Sequence, residues 1–226
     1  MNKILTSKWT KACAFLVCLL PFLDLLWRAV HGLLQGLPFD TYLTADPIKF
    51  VTHRTGDWTI RFLVITLAIT PVRKILKVPQ LIRFRRMLGL YAFFYGCLHF
   101  CTWMVLDKFF DWSDMWADVH KRPFITVGFT GFVLMIPLAI TSTAGWIRRL
   151  GGKRWQMLHR LIYAIAIAGV IHYYWLVKSD KRKPLEYACL VGFLLVLRLG
   201  AWLIGRRKPA AVGSGIRTGP MTAETP

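Results

Sequence analysis

The chain has 226 residues, of which 55% are hydrophobic, and it carries a formal net charge of +19. A soluble domain of this length does not need so much apolar surface, so the long apolar stretches place the chain in the membrane class. The basic residues lie between the apolar stretches rather than along one helix face. They therefore indicate membrane topology and argue against nucleic acid as a partner.

Six apolar stretches follow one another along the chain, and most approach the roughly 20 residues that a membrane-spanning helix requires. None of them shows the alternation that is typical of a β-barrel strand. The fold class predicted for residues 1–204 is therefore all-α, a polytopic six-transmembrane-helix bundle, followed by a disordered cytoplasmic tail in residues 205–226. The predicted helices cover about residues 10–30, 57–70, 87–106, 124–141, 158–177 and 186–204. The second is short, and an earlier start near Ile48 is the alternative.

The distribution of lysine and arginine predicts the orientation of the bundle. The N-terminus, the second and fourth connections and the tail carry 17 of these residues, whereas the other three connections carry 9. By the positive-inside rule, the first set faces the cytoplasm, and both termini are inside. The chain is therefore predicted to be a multi-pass protein of the bacterial inner membrane, in contact with lipid.

The five cysteines all lie in apolar stretches, and their odd number argues against a disulfide framework. Cys97, His99 and Cys101 form a C-x-H-x-C pattern that resembles a metal site. On a helix the histidine points roughly 160° away from the two cysteines, so the three side chains cannot bind one ion.

Two histidines lie inside apolar stretches at matching depth, His99 in the third and His172 in the fifth. Counted from the outer helix ends, their depths differ by only roughly 3 Å. A pair of imidazoles that face each other across a bundle can provide both axial ligands of a haem iron. The alternative is that each histidine is hydrogen-bonded to a neighbouring helix, and the residues alone leave both interpretations open.

His159 lies at the cytoplasmic start of the fifth stretch, beside Arg160. The 13 residues between His159 and His172 would suit a second haem, but the two rings point about 140° apart on a helix. The corresponding positions on the third stretch are Arg85 and Arg86, and arginine is a poor iron ligand. His159 and these arginines could instead bind a haem propionate, a quinone or a flavin phosphate. A histidine that only caps a helix start is the remaining alternative.

Several segments together resemble the MsrQ (YedZ) family of haem-binding membrane subunits, which belongs to the ferric-reductase-like transmembrane superfamily. The resembling segments are ADPIKFVTHRTG (Ala45–Gly56), LAITPVR (Leu67–Arg73), LIRFRRMLGLYAFFYGCLH (Leu81–His99), RPFITVG (Arg122–Gly128), ITSTAGW (Ile140–Trp146) and LHRLIYAIAIAGVIHYYW (Leu158–Trp175). They occur in order and at fitting spacing over most of the chain.

The resemblance implies a six-helix inner-membrane protein that binds one or two b-type haems, with His99 and His172 as axial ligands and His159 as a third functional histidine. It also implies FMN as a second cofactor. Electrons would come from quinones and pass to a periplasmic molybdopterin methionine-sulfoxide reductase, which repairs oxidised periplasmic proteins. The chain would then be the electron-transfer subunit of an oxidoreductase rather than its catalytic subunit.

Two other functions fit parts of the sequence. A ferric or cupric reductase of the outer face would use the same haem, and a transporter would need a polar site at the membrane midplane. An acidic outer loop from Asp107 to Asp118 would contribute to the docking of a soluble partner.

Overall fold

The computed structural model describes residues 6–36 and 44–206, and within these residues it contains helices and their connections but no strand. The predicted all-α class is therefore confirmed for this part of the chain. The predicted disordered tail starts at residue 205, and beyond Arg206 it lies outside the described residues.

Within the described residues, six long helices and three short ones follow in chain order. They are α1 (Lys8–Leu34), α2 (Pro47–Ile75), α3 (Ile82–Cys101), α4 (Trp112–Lys121), α5 (Pro123–Ile140), α6 (Ala144–Leu150), α7 (Gly152–Leu158), α8 (Leu161–Leu176) and α9 (Arg182–Arg206). A short 3₁₀ turn (Pro79–Leu81) precedes α3, and a π-helical segment (Thr102–Asp107) extends it. The long helices coincide with the six predicted stretches, whereas α4 lies in a region that was predicted to be a loop.

Five helical segments in the described part of the chain are long and apolar enough to cross a membrane. They are Lys8–Leu34, Pro79–Asp107, Pro123–Ile140, Gly152–Leu176 and Arg182–Ile204. The chain is thus a multi-pass membrane protein. Helix α2 has the required length but is not among the five, so the six-span count and the placement of both termini in the cytoplasm stay predictions.

Helix α2 begins at Pro47, ten residues before the predicted start at residue 57 and in agreement with the alternative start near Ile48. The Asp46 carboxylate caps its N-terminus by accepting a hydrogen bond from the Lys49 N–H at 3.0 Å, and Pro47 occupies the first turn. Charged side chains inside the helix also find partners. Arg61 lies 3.9 Å from Asp57 and donates to the Tyr187 hydroxyl at 3.2 Å. The hydropathy pattern suggested that these polar residues interrupt the helix. Their contacts explain why the helix continues through them.

The bundle is built around helices α2 and α3, which pack side by side along most of their length. Tyr91 and Tyr95 of α3 stack on Phe62 of α2, with ring centres 5.5 and 5.3 Å apart. Both tyrosine hydroxyls also donate to backbone carbonyls of α1, Tyr91 to Phe15 at 2.8 Å and Tyr95 to Cys18 at 2.9 Å. On the other side, α8 packs against α5 and also contacts α2 and α9. This arrangement brings α3 and α8 to opposite walls of a shared cavity.

Candidate functional site

The imidazoles of His99 and His172 face each other, from α3 and α8 respectively. Their ring centres are 6.0 Å apart, and the ring planes are inclined at 77°. The structure thus brings together the two histidines that the sequence placed at matching depth. Their shared position inside the bundle is the central feature of the site, because an imidazole buried in a membrane protein usually has a function.

A backbone carbonyl fixes the tautomer of each ring. The Nδ1–H of His99 donates to the carbonyl oxygen of Thr52 at 2.9 Å, and the Nδ1–H of His172 donates to that of Phe124 at 2.7 Å. A carbonyl can only accept, so each Nδ1 carries the proton and each Nε2 keeps its lone pair. A histidine that binds a metal ion usually donates its other ring N–H to a carbonyl or carboxylate oxygen in this way.

Each histidine also packs against a glycine of the helix that provides its carbonyl. A Cβ atom built on Gly56 of α2 would lie 3.1 Å from the His99 ring, and one built on Gly128 of α5 would lie 2.5 Å from the His172 ring. In both helices the glycine follows the carbonyl residue by four positions, which is about one turn. There is no room for a side chain at Gly128, so any larger residue there would displace the His172 ring. The glycine therefore allows the observed position of this ring.

The two imidazoles line a cavity of about 570 Å³ between α2, α3, α5 and α8. One part of its wall is apolar and consists largely of Ile60, Leu63, Phe132, Met135 and Ile165. The other part lies towards the start of α2 and the start of α5 and contains Asp46, Lys49, Asp107 and Arg122, and Asp57 of α2 also lines the cavity. The cavity therefore suits a largely apolar ligand that has a polar edge.

His159 lies elsewhere, at the C-terminus of α7, and is not part of this cavity wall. Its ring stacks on that of Trp155, with centres 4.0 Å apart, and its Nε2 lies 3.0 Å from the Thr141 hydroxyl oxygen. That hydroxyl donates to the Pro137 carbonyl at 2.6 Å, so it accepts from the His159 Nε2–H. The tautomer of His159 is therefore the opposite of that of the histidine pair.

The three arginines that were predicted to act with His159 also lie outside the cavity wall. Arg86 and Arg160 are exposed, and Arg85 is half-buried. The structure therefore separates the predicted site residues into a central pair, His99 and His172, and a second group.

Two of the four aspartates in the predicted acidic loop have basic partners. Lys108 donates to Asp114 at 2.5 Å and lies 2.6 Å from the buried Asp118, which also pairs with Arg122 at 3.2 Å. The hydrogen bond to Lys108 lowers the pKa of Asp114, and the hydrogen bonds from Lys108 to Asp114 and Asp118 raise the pKa of the ammonium. These pairs fix helix α4 against the end of the π-helical segment that extends α3. The segment is consequently less acidic towards solvent than its sequence suggests.

The cysteine pattern provides no metal site. All five cysteines are free thiols, as the sequence analysis predicted. Within residues 6–36 and 44–206, no group of three histidine, cysteine or acidic side chains could hold a metal ion.

Comparison with known proteins gives the family. The model of the ferric reductase like transmembrane component matches residues 55–170, which contain His99 and both glycines of the site, and His172 lies two residues beyond the match. The MsrQ heme-binding subunit of protein-methionine-sulfoxide reductase from Herminiimonas arsenicoxydans is 51% identical over 92% of this chain and 94% of its own length. The chain belongs to the MsrQ family. MsrQ proteins of Ralstonia nicotianae and Caulobacter vibrioides are 47% and 46% identical, over 91% and 82% of this chain and 92% and 84% of their own lengths.

Within this MsrQ-family chain, the residues that orient the two imidazoles were not predicted from the sequence. Gly56 and Gly128 end two of the segments on which the resemblance was based, but their packing role was not recognised. A small residue at a helix contact in a membrane bundle is the signal that could have found them. The carbonyls of Thr52 and Phe124 left no such signal, because a backbone group is present at every residue.

Proposed function

We propose that this chain is the b-type haem subunit of a membrane electron-transfer system. In this proposal it takes electrons from the quinone pool of the inner membrane and passes them to a separate periplasmic molybdopterin methionine-sulfoxide reductase. The observation that carries the proposal is the pair of facing imidazoles with free Nε2 atoms. The names of its MsrQ relatives, which describe a heme-binding subunit of a protein-methionine-sulfoxide reductase, support the same assignment.

The residues of the cavity fit a haem. An imidazole nitrogen binds a metal ion at about 2 Å and the ring centre lies about 1 Å behind it, so two axial imidazoles place their centres about 6 Å apart. The observed separation of the His99 and His172 centres is 6.0 Å. The cavity volume of about 570 Å³ also lies within the range of ~300–1,000 Å³ that is usual for cofactor sites.

His99 and His172 would together hold the haem iron, and the haem would supply one-electron transfer when bound. The chain's own contribution is to hold both rings. The Thr52 and Phe124 carbonyls fix the tautomers, and the Gly56 and Gly128 surfaces fix the ring positions. Within the described residues only one pair of histidines is arranged in this way, so we propose one haem in this cavity.

The donor side is proposed to lie at the cytoplasmic end, around His159, Arg85, Arg86 and Arg160. The exposed guanidinium groups of Arg86 and Arg160 can attract an anionic phosphate, which makes FMN or a quinone-side donor the ligand class for this region. This placement uses the proposed six-span topology, in which residues 1–204 form the bundle, both termini are cytoplasmic and residues 205–226 are a cytoplasmic tail.

Replacing His159 with alanine is expected to keep the low-spin haem spectrum and to slow reduction by a quinol or reduced flavin several-fold. The reason is that His159 is tied to Thr141 and Trp155 and does not line the cavity of the histidine pair. Stopped-flow reduction of the purified variant measures the rate. Thr141→Val removes the partner hydroxyl but keeps the imidazole, and is the matched control. If His159→Ala loses all haem, His159 is an iron ligand and the placement is wrong.

The proposed function requires that the chain alone does not reduce methionine sulfoxide. The test combines the purified chain, a reduced quinone or flavin, and an oxidised periplasmic protein, with and without the soluble molybdopterin enzyme. Sulfoxide reduction is expected only in the complete mixture, together with a reduced-minus-oxidised haem difference spectrum of the chain. Reduction by the chain alone would overturn the assignment as an electron-transfer subunit.

The same mixture distinguishes the competing functions. Rapid reduction of ferric or cupric complexes, with no acceleration of sulfoxide reduction, would make the chain a metal reductase. The absence of haem from the purified wild-type protein would remove the basis of both functions and favour a transporter.

A further inference from the structure

The cavity walls on α2 and α5 repeat the same series of features. Each helix first presents a basic residue, then a carbonyl that holds a histidine, and four positions later a glycine that contacts the same histidine. On α2 these features come from Lys49, Thr52 and Gly56. On α5 and the residue that precedes it, they come from Arg122, Phe124 and Gly128. The carbonyl and the glycine of each series have a role, whereas the basic residue has none in the proposed function.

The two basic residues lie at the same end of the cavity as Asp46 and Asp107, and the remaining charged residue of the wall, Asp57, pairs with Arg61. At the opposite end of the cavity, the wall consists of apolar side chains such as Leu63, Met135 and Ile165. Charged groups in contact with an apolar ligand would be costly, so a ligand that fills this cavity has its polar edge towards Lys49 and Arg122. This asymmetry gives the ligand an orientation.

Both cations have donors that are free for such an edge. Among the described residues, Lys49 has no ion pair and no side-chain hydrogen bond. Arg122 pairs with Asp118 at 3.2 Å through Nε, which leaves its two terminal nitrogens available to a second acceptor. An ammonium group and half of a guanidinium group are suited to carboxylates.

From this arrangement we infer that Lys49 and Arg122 bind the two carboxylates of the haem. This inference rests on the proposed function, since it needs a haem in the cavity. It assigns a carboxylate-binding position to the outer mouth and orients the carboxylate edge towards the outer face, with the apolar edge towards the interior of the bundle.

Two aspartates at the same end of the cavity restrict how a carboxylate can be bound there. Asp46 and Asp107 also line the mouth, so the field there is mixed rather than uniformly positive. A carboxylate can then be held only by direct contact with a cation, and the loss of one cation should be measurable on its own.

The experiment uses the full chain purified with its haem in lipid nanodiscs. Lys49→Met and Arg122→Met should each keep the low-spin spectrum, because both histidines remain. Each should lose haem to excess apomyoglobin about tenfold faster than wild type, and the double variant faster still. The midpoint potential should become more negative in each, since a haem carboxylate without its cation stabilises the ferric form. Lys49→Arg should restore both values, which a general loss of packing would not allow.

One control separates the cations from their surroundings. Lys121→Met removes an exposed charge next to Arg122 that does not line the cavity. It should lose haem at close to the wild-type rate. A double variant that exchanges haem as slowly as wild type would overturn the inference and leave the proposed function intact, as would equal acceleration in Lys121→Met. A wild-type protein without haem would instead overturn the proposed function itself.

Discussion

Alanine at either His99 or His172 should abolish the low-spin b-type haem spectrum and electron transfer through the chain. Each imidazole is proposed to provide one of the two axial ligands, and the ring centres are only 6.0 Å apart. Without one of the two rings, the cavity would hold the haem through a single histidine and would bind it more weakly. Visible absorption of the purified variants, together with haem quantification per polypeptide, measures the effect.

His120→Ala is the matched control for this pair. His120 lies on helix α4, where its ring centre is 4.7 Å from that of Trp116, and it does not line the cavity. Its removal should leave the spectrum unchanged. In His172→Gly, added imidazole should restore the low-spin spectrum by entering the space that the side chain leaves. A wild-type spectrum in either alanine variant would show that the pair does not bind the iron.

The histidine pair could be predicted from the sequence because the argument needed only helix geometry. Because the rise per residue of a helix is fixed, the positions of His99 and His172 in their helices give their depths in the membrane. The two depths are similar, and this predicted that the residues lie at the same level of the bundle. Which of the two open interpretations applies could not be decided in this way. Hydrogen bonds to neighbouring helices do exist, but they use Nδ1 of each ring and leave Nε2 free. Each histidine can therefore be hydrogen-bonded to a neighbouring helix and still have Nε2 available to bind an iron.

The extent of α2 could not be predicted from hydropathy. The charged side chains of Lys49, Arg54 and Asp57 lower the hydropathy of its first part, so the apolar pattern alone begins at residue 57, and the alternative start near Ile48 is the one that agrees with the structure. The cap by Asp46 and the pair between Asp57 and Arg61 keep this part helical. The turns before residue 57 are also the ones that supply the Thr52 carbonyl and Gly56 to the site.

The second group of predicted residues shows the limit of an argument from one helix. Helical spacing placed the His159 ring away from the face of His172, which agrees with its position outside the cavity wall. Its contacts with Thr141 and Trp155 depend on the turn after α5 and on the short helix α7, neither of which was predicted. Partners from separate elements cannot be read from one periodic pattern.

Gly128→Ala is expected to disrupt the site almost as strongly as the removal of His172. The added Cβ would lie 2.5 Å from Nδ1 of His172, a distance at which something must move. The ring is held there by its 2.7 Å hydrogen bond to the Phe124 carbonyl, so moving it breaks that bond and displaces Nε2. A loss of most of the low-spin haem is therefore expected, as measured by the absorption spectrum and the haem content of the purified protein.

The glycines of the chain offer a graded series that tests whether ring contact is the cause. A Cβ at Gly56 would lie 3.1 Å from the His99 ring, whereas one at Gly131 would lie 3.5 Å from the Ala168 Cβ, an ordinary contact. Haem retention should therefore fall in the order Gly131→Ala, Gly56→Ala, Gly128→Ala, with the first close to wild type. Alanine favours a helix by about 1 kcal/mol over glycine, so none of these changes should weaken the helix itself. Equal haem content in Gly128→Ala and Gly131→Ala would show that the contact with His172 does not control the site. Circular dichroism of each variant checks that the bundle remains folded, and the milder Gly56→Ala keeps the test decisive if Gly128→Ala does not fold.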